Sequence, residues 1–158
     1  MLPPFLETAA TVRAQDPQAR FRLVLPEALQ SGLPSLPDYI TVTGGGAAAL
    51  AGCRAALTKS GTITLELAVM GIPQVVAHRV HPVTYWVGRM VVTGVQHIAL
   101  PNILAGREVV PEFVQRFTPS GLADALLSLP GHQPVDLTAL GESGASQRAA
   151  EAILSRWA

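Results

Sequence analysis

A Ser-Gly-Thr tripeptide, Ser60-Gly61-Thr62, stands between a short apolar run and a segment with helical spacing. Glycine lets a backbone approach a ligand closely, and the N–H groups that open a helix attract phosphate. The two hydroxyls add donors, and Glu66 falls one turn beyond Thr62, where a carboxylate can accept the hydroxyl protons of a ribose. The spacing predicts a nucleotide site. It also fits an ordinary Ser/Thr helix cap followed by a solvated glutamate.

A second polar group follows the apolar run that begins at His97. Asn102 offers hydrogen-bond donors and acceptors, and Arg107 offers a planar fork that suits a phosphate. We predict a strand over 97–100 and a helix over 106–117, with these two side chains in the loop between them. The alternative is a Pro-Asn turn with Arg107 on a helix surface.

Other reactive residue types are sparse. His78 and His81 are three residues apart, but no third ligand lies in sequence range and no Asp-x-Asp pair is present to hold Mg²⁺. We therefore expect neither a metal site nor a cofactor. The Gly44-Gly45-Gly46 run matches neither a P-loop nor a convincing dinucleotide fingerprint. We interpret Cys53 as a small core residue.

The elements that must position these residues alternate between helix and strand. Short apolar runs between helical segments are typical of a parallel sheet covered by helices on both faces. Ligands in such sheets bind outside the carboxyl ends of the strands. The pattern opens with a helix rather than a strand. The predicted strands cover 21–25, 39–42, 55–58, 74–77 and 97–100, and the predicted helices cover 3–14, 47–51, 63–70, 82–92, 106–117, 119–129 and 146–157.

Length and composition limit the class of protein. A chain of 158 residues is one domain, 1–158. Its 49% apolar and 14% charged residues exclude intrinsic disorder, and 11 basic against 11 acidic residues argue against nucleic-acid binding. One cysteine excludes an intrachain disulfide. The apolar runs fall short of the roughly 20 residues of a spanning helix, and no signal peptide is recognisable, so we expect a cytoplasmic protein.

The stretch from Ser60 to Gln115 resembles the C-terminal half of lipid-A-disaccharide synthase. The resemblance is most specific in the run LPNILAGREVVPE, Leu100 to Glu112. It is weaker over 2–42 and from residue 118 onward. The other matching pieces are Ser60-Gly61-Thr62, Thr64-Leu65-Glu66, Pro73 before Val75-Val76, Arg79 and Thr84-Tyr85-Trp86.

This family is similar in fold to the GT-B glycosyltransferases, which have two Rossmann-like domains facing across a cleft. The resemblance implies that the chain is the domain that binds the nucleotide-sugar donor: an α/β, Rossmann-like parallel sheet that lacks its first strand. It implies an inverting, metal-independent reaction, in which UDP-2,3-diacylglucosamine and 2,3-diacylglucosamine 1-phosphate yield a β-1,6-linked disaccharide and UDP. The full enzyme would work at the inner face of the membrane.

The resemblance also implies roles for individual residues. Glu66 would hold the ribose, and either Arg79 or Arg107 would stabilise charge on the departing UDP. Asn102 would line the cleft near the donor. The implied partners are UDP or a UDP-sugar and an acylated glucosamine lipid. The implied donor-binding residues are Ser60, Gly61, Thr62, Glu66, Arg79, Asn102, Gly106 and Arg107.

The sequence also departs from the family pattern. The family's L-P-G-S-R-like first loop and its acceptor domain, which supplies the catalytic base, are absent, so we expect the chain to be inactive alone. His78, Arg54 and Lys59 replace a tyrosine, an acidic residue and a small residue. A non-catalytic interaction domain and a related UDP-sugar enzyme, such as a UDP-N-acetylglucosamine 2-epimerase, stay open as alternatives. The unpaired edge of a sheet that lacks a strand predicts a homodimer or strand borrowing.

Overall fold

The computed structural model describes residues 1–79, 97–133, 135–142 and 144–156. The strands are β1 (Phe21–Val24), β2 (Ile40–Thr43), β3 (Ala56–Thr58), β4 (Gln74–His78) and β5 (Glu112–Val114). The helices are α1 (Leu2–Gln15), α2 (Glu27–Gln30), α3 (Ala47–Leu50), α4 (Ile63–Val69), α5 (Leu100–Ala105), α6 (Pro119–Leu127) and α7 (Ala145–Leu154), with a 3-10 turn at Thr138–Leu140.

The strands form two parallel sheets. β1 pairs with β2, and β3, β4 and β5 form a second sheet with β4 in the middle. Thr58, Val76 and Glu112 lie level with one another across the second sheet. Within the described residues, β1, β2, β3 and β5 each have one edge without a strand partner. The parallel strands and their surrounding helices confirm the predicted α/β, Rossmann-like class.

The core surrounds β4, the central strand of the larger sheet. Val75 is fully buried against Leu122 of α6 on one face of the sheet. Val76 is equally buried and packs with Ala99 and Val110 on the other face. Successive side chains of a strand point to opposite faces, so β4 is covered on both sides. This packing fixes the carboxyl end of β4, which lies beside the carboxyl end of its partner β3 and the loop that follows it.

Helices α1 and α6 are close to the predicted helices over 3–14 and 119–129. Prolines in the first turn open α1, where a missing N–H costs nothing. The Oγ1 atom of Thr118 accepts a hydrogen bond of 3.1 Å from the Gly121 N–H and caps α6. α1 and α6 pack against each other. No helix in the described part of the chain has the length and hydropathy needed to cross a bilayer.

Two predicted elements are wrong, and both lie between residues 97 and 117. The predicted strand over 97–100 is a bend that leads into α5, because Pro101 favours the first turn of a helix. The predicted helix over 106–117 is a turn followed by β5. Gly106, with a φ of +62°, ends α5 in the left-handed conformation. The predicted helix over 82–92 lies outside the described residues.

Candidate functional site

The loop that follows β3 carries the first predicted binding residues. The Oγ atom of Ser60 donates a hydrogen bond of 2.7 Å to the carbonyl of Ile98, which anchors the start of the loop. Gly61 and Thr62 are exposed, and open space surrounds Gly61 where a side chain would stand. Thr62 precedes α4 but makes no side-chain cap hydrogen bond. Its hydroxyl is therefore not used as the ordinary helix cap that the sequence also fitted.

The backbone of this loop is open on one side. The N–H groups of Thr64, Leu65 and Glu66 donate to carbonyls of the loop at 3.0–3.2 Å. The N–H groups of residues 61–63 donate to no acceptor in the described part of the chain. N–H groups at the start of a helix have no acceptor within the helix and can donate to an anion. The loop can therefore accept a phosphate without losing an internal hydrogen bond.

A groove runs from this loop along the outer side of α4. It has a volume of about 360 Å³ and is mostly apolar. Its polar lining comes from Thr62 and Glu66, so two of the predicted binding residues share one groove. The apolar lining residues are Ala47, Leu65, Val69 and Met70. Such a groove suits a ligand that has both a polar part and a flat or apolar part.

Two positively charged or titratable side chains stand at the carboxyl end of β4. Arg79 is exposed, and its guanidinium donates to the carbonyls of Gln115 and Phe117 at 3.3 and 3.4 Å. The same guanidinium lies 4.4 Å from the centre of the Phe117 ring. Burial lowers the pKa of His78 from its ordinary value, and the charge of Lys59 lowers it further. A lowered pKa keeps His78 neutral near pH 7.

The second predicted group is used differently. Asn102 is fully buried, and its amide is saturated within the chain. Its Nδ2 atom donates to the carbonyl of Val110 at 2.8 Å and to the carboxylate of Glu112. Its Oδ1 atom accepts from the N–H groups of Val109 and Val110 at 2.7 and 2.8 Å. Asn102 therefore holds the turn between α5 and β5, and no atom of its amide is left for a ligand.

Gly106 and Arg107 lie on that turn. Gly106 ends α5, and the exposed Arg107 follows it. The pKa of Asp136 is lowered first by hydrogen bonding to Thr138 and, to a smaller extent, by the charge of Arg107. The structure thus brings Ser60, Gly61, Thr62 and Glu66 together on one loop and its helix. A donor-binding role for Gly106 and Arg107 stays a prediction.

Sequence reasoning assigned no role to Glu112, which lies at the first position of β5. Its side chain is only 6% exposed. Its carboxylate accepts from the N–H groups of Ile98 and Ala99 at 2.8 and 3.2 Å and from the Asn102 amide. The available signal was its place at the end of the family-like run Leu100 to Glu112, whereas its partners Ile98 and Ala99 are brought to it only by folding.

No cluster of three metal-binding side chains is found in residues 1–79, 97–133, 135–142 and 144–156. His81 lies outside these ranges. Cys53 is partly buried and packs against the core residues Leu50, Leu67 and Ile72, as expected of a small apolar side chain.

Comparison with known proteins identifies the family. A family model described as lipid-A-disaccharide synthetase matches residues 1–129. The lipid-A-disaccharide synthase of Azotobacter vinelandii is 47% identical over 113 residues, which cover 67% of this chain and 30% of that protein. The synthase of Granulibacter bethesdensis is 40% identical over 126 residues, or 79% of this chain and 32% of the relative. The synthase of Anaeromyxobacter dehalogenans is 37% identical over 174 aligned residues, which cover 98% of this chain and 45% of that protein.

The chain spans 30–45% of the length of these three relatives. No solved structure matches it significantly. The family match includes the loop after β3, the groove along α4 and the turn held by Asn102. On the extent of this match and on the identity with the three relatives, the chain belongs to the lipid-A-disaccharide synthase family.

Proposed function

We propose that this chain is the part of a lipid-A-disaccharide synthase that binds the UDP-sugar donor. The observation that carries the proposal is the loop of residues 60–63, whose N–H groups at 61–63 have no acceptor in the described part of the chain. A diphosphate offers several anionic oxygens at the spacing of successive N–H groups. Family membership gives the ligand its identity, since the relatives are named as synthases of the lipid A disaccharide.

The groove along α4 supports the remainder of the donor. Glu66 lies one helical turn beyond Thr62 and is exposed in this groove. A carboxylate there accepts hydrogen bonds from both hydroxyls of a ribose while the diphosphate lies on the loop. The apolar side chains of Leu65 and Val69 continue the groove and suit the flat face of a base or another apolar part of the donor.

The proposed reaction transfers an acylated glucosamine from UDP to a second acylated glucosamine. The acceptor hydroxyl attacks the anomeric carbon, the bond from that carbon to the UDP oxygen breaks, and a base outside this chain takes the hydroxyl proton. Negative charge grows on the departing diphosphate. The N–H groups of the loop stabilise that charge, and Arg79 at the end of β4 adds a positive charge at the same edge of the sheet. No metal is required.

The chain is inactive alone in this proposal, because the acceptor side and the base belong to the remainder of the enzyme. As both substrates carry acyl chains, the enzyme works at the cytoplasmic face of the inner membrane. Asn102 takes no direct part in binding here: it holds the turn before β5. We therefore assign direct donor contacts to Gly61, Thr62 and Glu66.

Calorimetric titration of the chain with UDP tests the proposal. We expect saturable binding, and about 2.7 kcal/mol of added stability at a hundredfold excess over Kd. Glu66→Gln removes the charge that strengthens the ribose hydrogen bonds and should weaken binding about tenfold. Glu7→Gln makes the same chemical change at an exposed position of α1 and should leave the affinity unchanged.

Absence of UDP binding at millimolar concentration would contradict the donor-binding role. It would instead favour a domain that keeps the fold of the family and serves as an interaction module. Equal affinities of the native chain and Glu66→Gln would leave UDP binding in place but remove Glu66 from the ribose site.

A further inference from the structure

The carboxylate of Glu112 is buried, and the proposed function assigns it no role. It accepts hydrogen bonds from two backbone N–H groups and from the Asn102 amide, and Nδ1 of His97 lies 3.6 Å away. A carboxylate that is 6% exposed is costly unless several donors surround it. These donors all lie on one short segment, residues 97–102, which leads into α5.

The same segment holds the candidate binding loop from its other side. Ser60 Oγ donates to the Ile98 carbonyl at 2.7 Å. Thr64 Oγ1 accepts from the Leu100 N–H at 3.3 Å and donates to the Gly61 carbonyl at 2.8 Å. Residues 98–100 therefore lie between the Glu112 carboxylate and the loop.

One peptide unit joins the two sides directly. The carbonyl of Ile98 and the N–H of Ala99 belong to the same planar peptide group. Its oxygen accepts from Ser60, while its N–H donates to Glu112. Because hydrogen bonds polarise one another through a shared peptide, the charge on Glu112 strengthens the bond that anchors Ser60. A change at Glu112 is therefore transmitted to the loop without contact between the two side chains.

We propose that Glu112 is a positioning residue that fixes the loop of residues 60–63 in its anion-binding arrangement and thereby sets the affinity for the donor diphosphate. The second half of this inference rests on the proposed function. The first half, the order of the loop, is a property of the ligand-free chain and is measured without any nucleotide.

Amide hydrogen exchange of the ligand-free chain tests the positioning role. In Glu112→Gln, which keeps the size of the side chain but replaces one acceptor oxygen by a donor, we expect about tenfold faster exchange at 98–102 and at 64–66, whose N–H groups donate to carbonyls of the loop. Exchange in α1 and α6, which do not contact this network, should stay unchanged. Glu108→Gln is the matched control, since Glu108 is exposed on the same connection.

Two results would overturn the positioning role. One is faster exchange that stays within 97–112 and leaves 64–66 unchanged. The other is a uniform increase over the whole chain, which marks a residue needed only for general stability. If Glu112→Gln does not fold, Glu112→Asp keeps the charge but shortens the reach, and the same comparison between 64–66 and α6 decides.

Titration with UDP then separates the two proposals. We expect Glu112→Gln to bind UDP about tenfold more weakly than the native chain and Glu108→Gln to bind equally well. An unchanged affinity with a disordered loop contradicts the link between Glu112 and binding. If the native chain does not bind UDP, the donor-binding function fails, and the exchange data still decide whether Glu112 orders the loop.

Discussion

The loop after β3 and the connection that runs through α5 contain similar polar residues but use them in opposite ways. In the loop, Gly61, Thr62 and Glu66 are exposed, and successive N–H groups have no acceptor among the described residues. In the connection, Asn102 and Glu112 are buried, and every polar atom of the Asn102 amide has a partner within the chain. The polar residues that match the family therefore form two groups. One group is exposed and free to contact a ligand, and the other is buried and stabilises the backbone around it.

Among substitutions that test this comparison, the largest effect on stability is expected at Asn102. Asn102→Ala removes an amide with four hydrogen bonds and leaves the N–H groups of Val109 and Val110 buried without a partner. We expect the free energy of unfolding to fall by about 3–4 kcal/mol. Chemical denaturation measures the change. The neighbouring Ile103→Ala, at an exposed position, should cost less than about 1 kcal/mol, and equal losses for the two variants would contradict the structural role of Asn102.

A smaller effect is expected where the two regions meet. Thr64→Val keeps the shape of a fully buried side chain but removes its hydrogen bonds with the Gly61 carbonyl and the Leu100 N–H. The free energy of unfolding should fall by about 1–2 kcal/mol. Thr11→Val on the exposed side of α1 is the control and should change stability by less than about 0.5 kcal/mol. If both variants behave alike, the loop and the connection are not coupled through Thr64.

A pH-dependent effect is expected at His78, the last residue of β4. Burial, together with the charge of Lys59, lowers the pKa of His78 in the folded chain, so the unfolded chain binds a proton more readily. The resulting stability is fully present above the ordinary value of 6.5 and is lost as the pH falls toward the folded pKa.

We therefore expect the free energy of unfolding to decline below about pH 6.5 less steeply in His78→Gln than in the native chain. Denaturation at a series of pH values measures the slopes. An unchanged slope in His78→Gln would show that the environment of His78 does not oppose its charge.

The smallest effect on stability is expected at Glu66. This side chain is exposed in the groove, and we assign its carboxylate no role in folding. Glu66→Gln should therefore change the free energy of unfolding by less than about 0.5 kcal/mol. Chemical denaturation checks this. A decrease of more than about 1 kcal/mol in the free energy of unfolding would show that Glu66, like Asn102, stabilises the fold, and would contradict the difference between the two regions.

The sequence predicts the parallel α/β class and the loop because both depend on local patterns. Apolar runs at β3 and β4 are separated by helical spacing, and Ser60-Gly61-Thr62 stands where one changes to the other. The open N–H groups of the loop follow from this strand-to-helix change. Most predicted elements outside 97–117 agree with the structure to within a few residues.

The region from 97 to 117 could not be predicted in the same way. There the amide of Asn102 binds the backbone of residues seven and eight positions further along the chain and turns it into β5. The task of Glu112 likewise depends on N–H groups brought to it by folding. Such contacts leave no periodic signal, so the resemblance to a family identified the segment but not what its residues do.

The most direct test of the central claim is to map UDP binding on the assigned amide resonances of the chain. We predict saturable shifts that are largest at the N–H groups of Gly61, Thr62 and Ile63, which have no acceptor in the described part of the chain. The amides of Val109 and Val110, held by Asn102, should move little. Saturable shifts centred on residues 102–110, or no saturable shift at all, would contradict the assignment of the loop as the donor site.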